Sequence, residues 1–352
     1  LFRSFNDIGL QKSVYIPDRK TEGYGPTKNG FDKLLSEGSK LIVTVDCGTM
    51  SFDTINYYQK KNIDIIILDH HQSEIELPNA LSIVNPNRFD DKSNLNYLCA
   101  AGVCFMFLVA LNIKLRGLKW FSKNNILEPN LFNLLDLVSL GTVCDVVPLV
   151  GLNRAIVSQG LKVINKITNP GIKILKNICG VESNLNTYHL GYVLGPRINA
   201  GGRVGKCSHG ANLLLNKNLK EVFKIASELE VFNNERKIIE KNMLNKIENS
   251  VVIDKNDPVI VLSGHNWHGG IIGIIASRLK EKFNKPTVII SVVNKIGKAS
   301  ARSIYGFDIG STIIRAVHQN ILLKGGGHKM AAGFSIEEDK INIFKNFINK
   351  SF

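Results

Sequence analysis

Three places in this chain of 352 residues bring together side chains that can do chemistry: Asp46, Asp69-His70-His71 and Asp145. Asp46 follows the β-branched run Leu41-Ile-Val-Thr-Val45 and precedes Cys47-Gly48, while the Asp-His-His triplet follows the apolar run Asp64-Ile-Ile-Ile-Leu68. In open α/β proteins, ligands bind just past the carboxyl ends of parallel strands, which is where both groups fall. Asp145 lies in Gly141-Thr-Val-Cys-Asp-Val-Val-Pro148, beyond an apolar helical stretch and in surroundings too hydrophobic for an unpaired carboxylate. Carboxylates with an imidazole suit Mn²⁺ or Mg²⁺ better than zinc, which would lack thiolates here. A pair of such ions can hold an attacking hydroxide and a phosphate oxygen for in-line hydrolysis. A lone aspartate after a strand is more often a helix cap or turn former, and a lone histidine a satisfied surface or core residue. Asp-His-His in succession after a fully apolar strand is harder to dismiss in that way.

The elements that must position these groups read as α/β. Residues 41–45 and 64–68 are buried strands joined by a helix over 52–61, the pattern of a parallel sheet covered on both faces. Helical stretches follow at about 100–115, 131–143 and 153–166. The segment 219–249 is long, charged, periodic and free of Gly and Pro, which suits an interdomain connector. A second α/β unit has strands at 258–263 and 287–293 flanking a helix at 270–283. A helix at about 309–323, a triple glycine and a short strand at 330–336 then follow.

Composition narrows the class of partner. There are 44 Lys and Arg against 30 Asp and Glu, a formal charge of +14, which favours a polyanionic ligand such as nucleic acid. Hydrophobic residues at 44% and charged residues at 21% exclude a disordered or fibrous chain. The six cysteines form no C-x-x-C pair, so neither a disulfide framework nor structural zinc is expected, and a reduced, cytoplasmic setting is the simplest reading. The longest apolar run, 97–111, falls short of the ~20 residues a membrane span needs and reads as a buried helix; no membrane association and no signal peptide are expected.

Eight further motifs accompany the triplet. They are Tyr15-Ile-Pro-Asp-Arg19 with Glu22-Gly-Tyr-Gly25, Val45-Asp-Cys-Gly48, Leu140-Gly-Thr-Val-Cys-Asp-Val-Val-Pro-Leu149 and Gly195-Pro-Arg-Ile-Asn-Ala-Gly-Gly-Arg203, then Trp267-His-Gly-Gly-Ile-Ile-Gly273, Ser300-Ala-Arg-Ser303 and Gly325-Gly-Gly-His-Lys-Met-Ala-Ala-Gly333. Together they resemble, nearly end to end, the RecJ family of single-strand-specific 5′→3′ exonucleases in the DHH phosphoesterase superfamily. The triplet by itself indicates only the superfamily.

The resemblance implies a DHH domain over 1–218, a connecting helix over 219–249 and a smaller DHH-associated (DHHA1) domain over 250–352, two α/β domains with parallel-rich sheets facing each other across a basic groove. It implies that Asp46 bridges two Mn²⁺ or Mg²⁺ ions, that His70 and Asp145 are further ligands, and that His71 contacts the scissile phosphate while Asp69 orients its neighbours. Arg197, Asn199 and Arg203 would clamp the strand's backbone. Arg302, Ser303, Gly325, Gly326, Gly327 and His328, with Lys329 nearby, would form a phosphate-binding loop, the glycines presenting N–H groups. Trp267 and His268 are open between stacking a base and packing the domain. Single-stranded DNA is the expected partner, with a helicase and a single-strand-binding protein as further ones. The family's first motif, an Asp-rich strand end, is absent before Tyr15, and an OB-fold that family members carry is absent after Phe352, so a fragment is expected. A small-substrate DHH phosphodiesterase, a non-catalytic DNA-binding scaffold and a manganese pyrophosphatase are the alternatives.

Overall fold

The computed structural model describes residues 1–18, 21–166, 169–250 and 257–352, so that Arg19, which closes the first motif, and the opening residues 251–256 of the expected second domain lie outside the described residues. The chain divides into two compact units, Leu1–Asn233 and Asn234–Phe352, and the helix Leu219–Ser250 runs from the first into the second.

In the first unit, strands β1 (Leu41–Val45), β2 (Asp64–Leu68) and β3 (Ser82–Val84) form a parallel sheet in the order β1-β2-β3. The isoleucines that marked the strands fill its core: Ile42, Ile65 and Ile67 pack with Phe31 and with Ile55 and Tyr58 of the crossover helix Phe52–Gln59. β3 has only three residues, too short for any alternation to show in the sequence. The apolar run becomes the helix Ala100–Gly117, long and apolar enough to cross a membrane by length and composition. In this unit it packs on β2 and on the helix Leu135–Cys144, burying Val103, Leu108 and even Asn112. The expected helix at 131–143 starts as a single tight 3₁₀ turn, Leu131–Leu134, because the Asn130 side chain accepts the Phe132 N–H at 3.1 Å. Leu135–Cys144 then lies against Gly151–Ile164 at close range: a Cβ on Gly160 would sit 2.6 Å from Ser139 Oγ.

The second unit holds β4 (Ile260–His265), β5 (Thr287–Val293), β6 (Ile296–Arg302), β7 (Lys324–His328) and β8 (Ala331–Glu337) in the order β4-β5-β6-β8-β7. Only β4 and β5, joined through the helix Ile272–Phe283, are parallel; the sheet is mixed. β6 arises because Asn294 and Lys295, at φ 50° and 63°, make a two-residue hairpin turn of the kind that matches strand twist.

The triple glycine departs from its expected form. It is no loop: Gly325, Gly326 and Gly327 belong to the edge strand β7, paired residue by residue with Phe334, Gly333 and Ala332. The reason is packing. A Cβ on Gly325 would lie 2.7 Å from Ile313 Cγ2 of the helix Ile309–His318, and one on Gly327 would lie 2.5 Å from Ala332 Cα.

Candidate metal centre

The register Val45↔Leu68 sets the ends of β1 and β2 level, and the ladder continues past them: Asp46 N–H donates to Leu68 C=O at 2.9 Å and Asp69 N–H to Val84 C=O at 3.0 Å. Asp46 and Asp69 therefore leave the sheet side by side. Asp46 turns at once, at φ +60°, a left-handed conformation that Asp tolerates better than most residues. Gly48 completes the bend at φ +115°, where a Cβ would meet Thr44 Oγ1 at 2.6 Å. Asp145 caps the C-terminus of Leu135–Cys144, and Val146 beyond it sits at φ +59°, an outlier for a β-branched residue. Strained backbone flanking two carboxylates of one site is the kind of cost that persists where function requires it.

The three groups converge. His70 Nε2 lies 3.2 Å from Asp46 Oδ1 and 3.6 Å from Asp145 Oδ2. The His70 side chain is buried, whereas Asp46 and Asp145 are partly open to solvent. Burial works against a charge on His70, but the Asp46 hydrogen bond and the fields of Asp145, Asp46 and Asp69 outweigh it, so its pKa is raised. Asp145 is also raised, by desolvation first and then by Asp46, with His70 and His71 pulling the other way. Two acids competing for one imidazole proton carry an excess of negative charge, the condition that a cation relieves.

Asp69 faces inward at 1% exposure. Its Oδ1 accepts from His70 N–H at 2.8 Å and His71 N–H at 3.3 Å and lies 2.7 Å from His71 Nδ1, while Oδ2 accepts from Thr49 N–H at 3.1 Å. Desolvation alone would raise its pKa; His71 and Thr49 overturn that and hold it well below the usual carboxylate range. The pair Asp69–His71 fixes the imidazole so that Nε2 points away, toward Tyr24 Oη at 3.2 Å. Tyr24 Oη also donates to the Asp46 carbonyl. Asn85 ties Thr49 Oγ1 (3.0 Å) to His71 C=O (2.9 Å), and Asn87 Nδ2 donates to His70 C=O at 2.6 Å. Sequence reasoning gave no role to Tyr24, Thr49, Asn85 or Asn87. Tyr24 falls in the Glu22-Gly-Tyr-Gly25 motif, but nothing in its spacing from position 71 announces a contact.

Beside the site lies a cavity of about 630 Å³ lined by Asp46, Asp145, Val45, Cys144 and Asn199 among others. Among the substrate-side candidates of the first unit, Asn199 therefore opens toward the carboxylates, whereas Arg197 is committed internally, paired with Glu230 and donating Nη1–H to Val193 C=O at 2.8 Å. Arg203 lies in the short helix Gly201–Val204.

The second unit has its own arrangement. Arg302 ends β6, partly buried, its Nη1 donating to Ala301 C=O (2.8 Å) and Ser300 Oγ (3.1 Å); burial lowers its pKa. Ser303 Oγ donates to Phe307 C=O at 2.7 Å, so that hydroxyl holds a turn. His328 ends β7, and Gly326 is the one glycine of its run with open space where a Cβ would be. Trp267 packs: its ring covers Gly264 of β4, with Cζ2 2.5 Å from where a Cβ would stand.

A two-module chain with an Asp-His-His strand end and a glycine-rich edge strand defines the DHH class of phosphoesterases. The family profile for the DHH family, N-terminal domain, matches residues 1–142, and the DHHA1 domain profile matches residues 256–352. Within that class, the chain belongs to the RecJ family. It is 39% identical to the single-stranded-DNA-specific exonuclease RecJ of Escherichia coli strain K12, over 97% of this chain and 61% of that protein, and 31% identical to the Bacillus subtilis strain 168 protein of the same description, over 99% of this chain and 43% of that one. A crystal structure of exonuclease RecJ bound to manganese superimposes with a TM-score of 0.76 at 30% identity, covering 99% of this chain and 84% of that one. RecJ from Thermus thermophilus in complex with Mn²⁺ gives 0.75 at 29% identity, over 90% and 45%. The chain spans about three-fifths of the E. coli relative's length.

Proposed function

We propose that this chain carries the catalytic part of a divalent-metal-dependent exonuclease that degrades single-stranded DNA from a 5′ end in repair and recombination. The observation that carries the reading is the convergence of Asp46 and Asp145 on His70 at the strand ends. The donor set is carboxylate oxygen and imidazole nitrogen with no thiolate among them, which fits Mn²⁺ or Mg²⁺. Asp46, His70 and Asp145 would hold the ions, whose chemistry is to acidify a water and to neutralise charge on the phosphate. The chain's own residues do the rest. Asp69 holds His71 in one orientation and keeps its Nε2 outward, where it can meet a phosphate oxygen. Tyr24 closes over that nitrogen and the Asp46 turn. On the second unit, Arg302 and the open flank of β7 at Gly326 would take a phosphate. The protein would work in the cytoplasm, with a helicase and a single-strand-binding protein as partners.

The test compares three substrates with Mn²⁺: a long 5′-phosphorylated single strand, a dinucleotide and pyrophosphate. Release of mononucleotides from the long strand, faster than turnover of the other two, is the expected result. Preference for the dinucleotide or for pyrophosphate overturns it.

A further inference from the structure

We propose that Tyr188 and Tyr192, on a π-helix packed against the helix that ends at Asp145, form a platform on which a base of the single strand stacks. The inference rests on the reading of the site as one for single-stranded DNA.

Residues His189–Leu194 form a π-helix, a rare geometry that is concentrated at functional sites. Its inward face is assigned to packing. Leu190 and Leu194 are fully buried, and Gly191 and Gly195 allow close approach: a Cβ on Gly191 would lie 3.3 Å from Val143 Cγ1, and one on Gly195 would meet Cys144 Sγ. Leu190 C=O accepts from Cys144 Sγ–H at 3.4 Å. The π-helix therefore rests on the last turn of Leu135–Cys144, the turn that presents Asp145.

The outward face carries the two tyrosines. They are 61% and 75% exposed, and their rings stack on each other with centroids 5.5 Å apart and planes 23° from parallel. His189 packs edge-on against Tyr188 at 5.8 Å. No core needs these rings, and two large aromatic faces in water are a cost that packing does not explain. Tyr188 lies between His189 and Tyr192, and Tyr192, the more exposed ring, ends the stack, a ready start for a stack of bases, which every base can join whatever its sequence. Two features select a nucleic acid as the occupant. The π-helix that carries the platform packs on the helix that ends at Asp145, and the chain carries 14 surplus positive charges to draw a polyanion to it. Asn199, a few residues beyond the π-helix, lines the cavity with Asp46 and Asp145.

Binding of a fluorescent single-stranded oligonucleotide to this chain, read by anisotropy, tests the assignment. Base–aromatic stacking is worth about 1–3 kcal/mol per base, so the double variant Tyr188→Ala, Tyr192→Ala should raise Kd by roughly 5- to 150-fold with an unchanged melting temperature. The variant Tyr192→Trp, which keeps a ring, should bind like the wild type. Scanning an abasic site along the oligonucleotide should find a position that weakens the wild type and leaves the double variant unaffected. If the wild type binds and the double variant binds equally well, or if the abasic effect persists in that variant, the platform is overturned while the exonuclease reading stands. If the wild type itself ignores single strands, the functional reading falls and takes the platform with it.

Discussion

Asp69 shows how one buried carboxylate organises a site: a carboxylate oxygen lies within 4.8 Å of ligand atoms of Asp46 and His71, yet the group is committed to hydrogen bonds with its neighbours. It accepts from three backbone N–H groups and lies against the His71 imidazole, so its ionised form is what the fold requires. Its folded pKa lies below the unfolded value of about 3.9, so the folded state binds fewer protons there than the unfolded one does. The stability it contributes is complete above about pH 4 and is lost as the pH falls toward the folded value. Asp69→Asn should accordingly be less stable than the wild type at pH 7, with the gap between the two narrowing in acid; denaturant melts at pH 7 and near pH 3 check this. A gap that stays constant would mean that the carboxylate's charge is not what the N–H groups hold. The same variant should weaken Mn²⁺ binding by about 10- to 100-fold in titration calorimetry, as loss of an orienting partner commonly does. Asp46 and the triplet were legible because a buried strand announces its own end. Tyr24 was not, since its contact with His71 spans 47 positions of chain and depends on how an irregular segment folds back.

At the scale of elements, strands 41–45, 64–68 and 287–293 could be read to the residue, because short β-branched runs with an apolar core-facing side leave no competing reading, even where the other side is partly open, as at Leu41 and Val45. β6 and β7 could not, for opposite reasons. β6 depends on a hairpin turn made by Asn294 and Lys295 without a glycine. β7 contains three glycines, a composition that argues against strand unless a neighbour needs the room. Here the neighbours do, and they need it unequally. Gly327→Ala would drive its Cβ into the β8 backbone at Ala332 Cα, 2.5 Å away, and backbone cannot step aside. That substitution should cost about 1–3 kcal/mol, the usual range for overpacking, whereas Gly326→Ala meets nothing within 4 Å and should change denaturant stability by less than about 0.5 kcal/mol. Equal losses at both positions would mean that chain freedom, not room, is what the glycines provide. Gly326→Ala also separates fold from function: a drop in oligonucleotide affinity at full stability would place a phosphate against that open strand flank.

At the scale of the whole molecule, the division was legible in the long, charged helix Leu219–Ser250, within which the two units meet after Asn233, whereas the roles of the two units could not be drawn from periodicity. Charge, however, was legible from the first count, and it makes the most general prediction. A chain of formal charge +14 acting on a polyanion should release counterions on binding, with log Kobs falling linearly against log salt at a slope of about −0.7 per phosphate contacted on a single strand. Raising salt about fourfold, from roughly 50 to roughly 200 mM, should then weaken a contact spanning three phosphates by roughly 20-fold and a contact with one phosphate by only about threefold. Anisotropy titrations of a labelled single strand across that range distinguish the two. A steep slope fits a strand threaded past several basic groups on its way to Asp46, His70 and Asp145. A slope near that of a single phosphate would mean that the surplus charge lies elsewhere on the surface and that the site takes a small phosphodiester, and in that event shortening the oligonucleotide to a dinucleotide should leave its affinity unchanged.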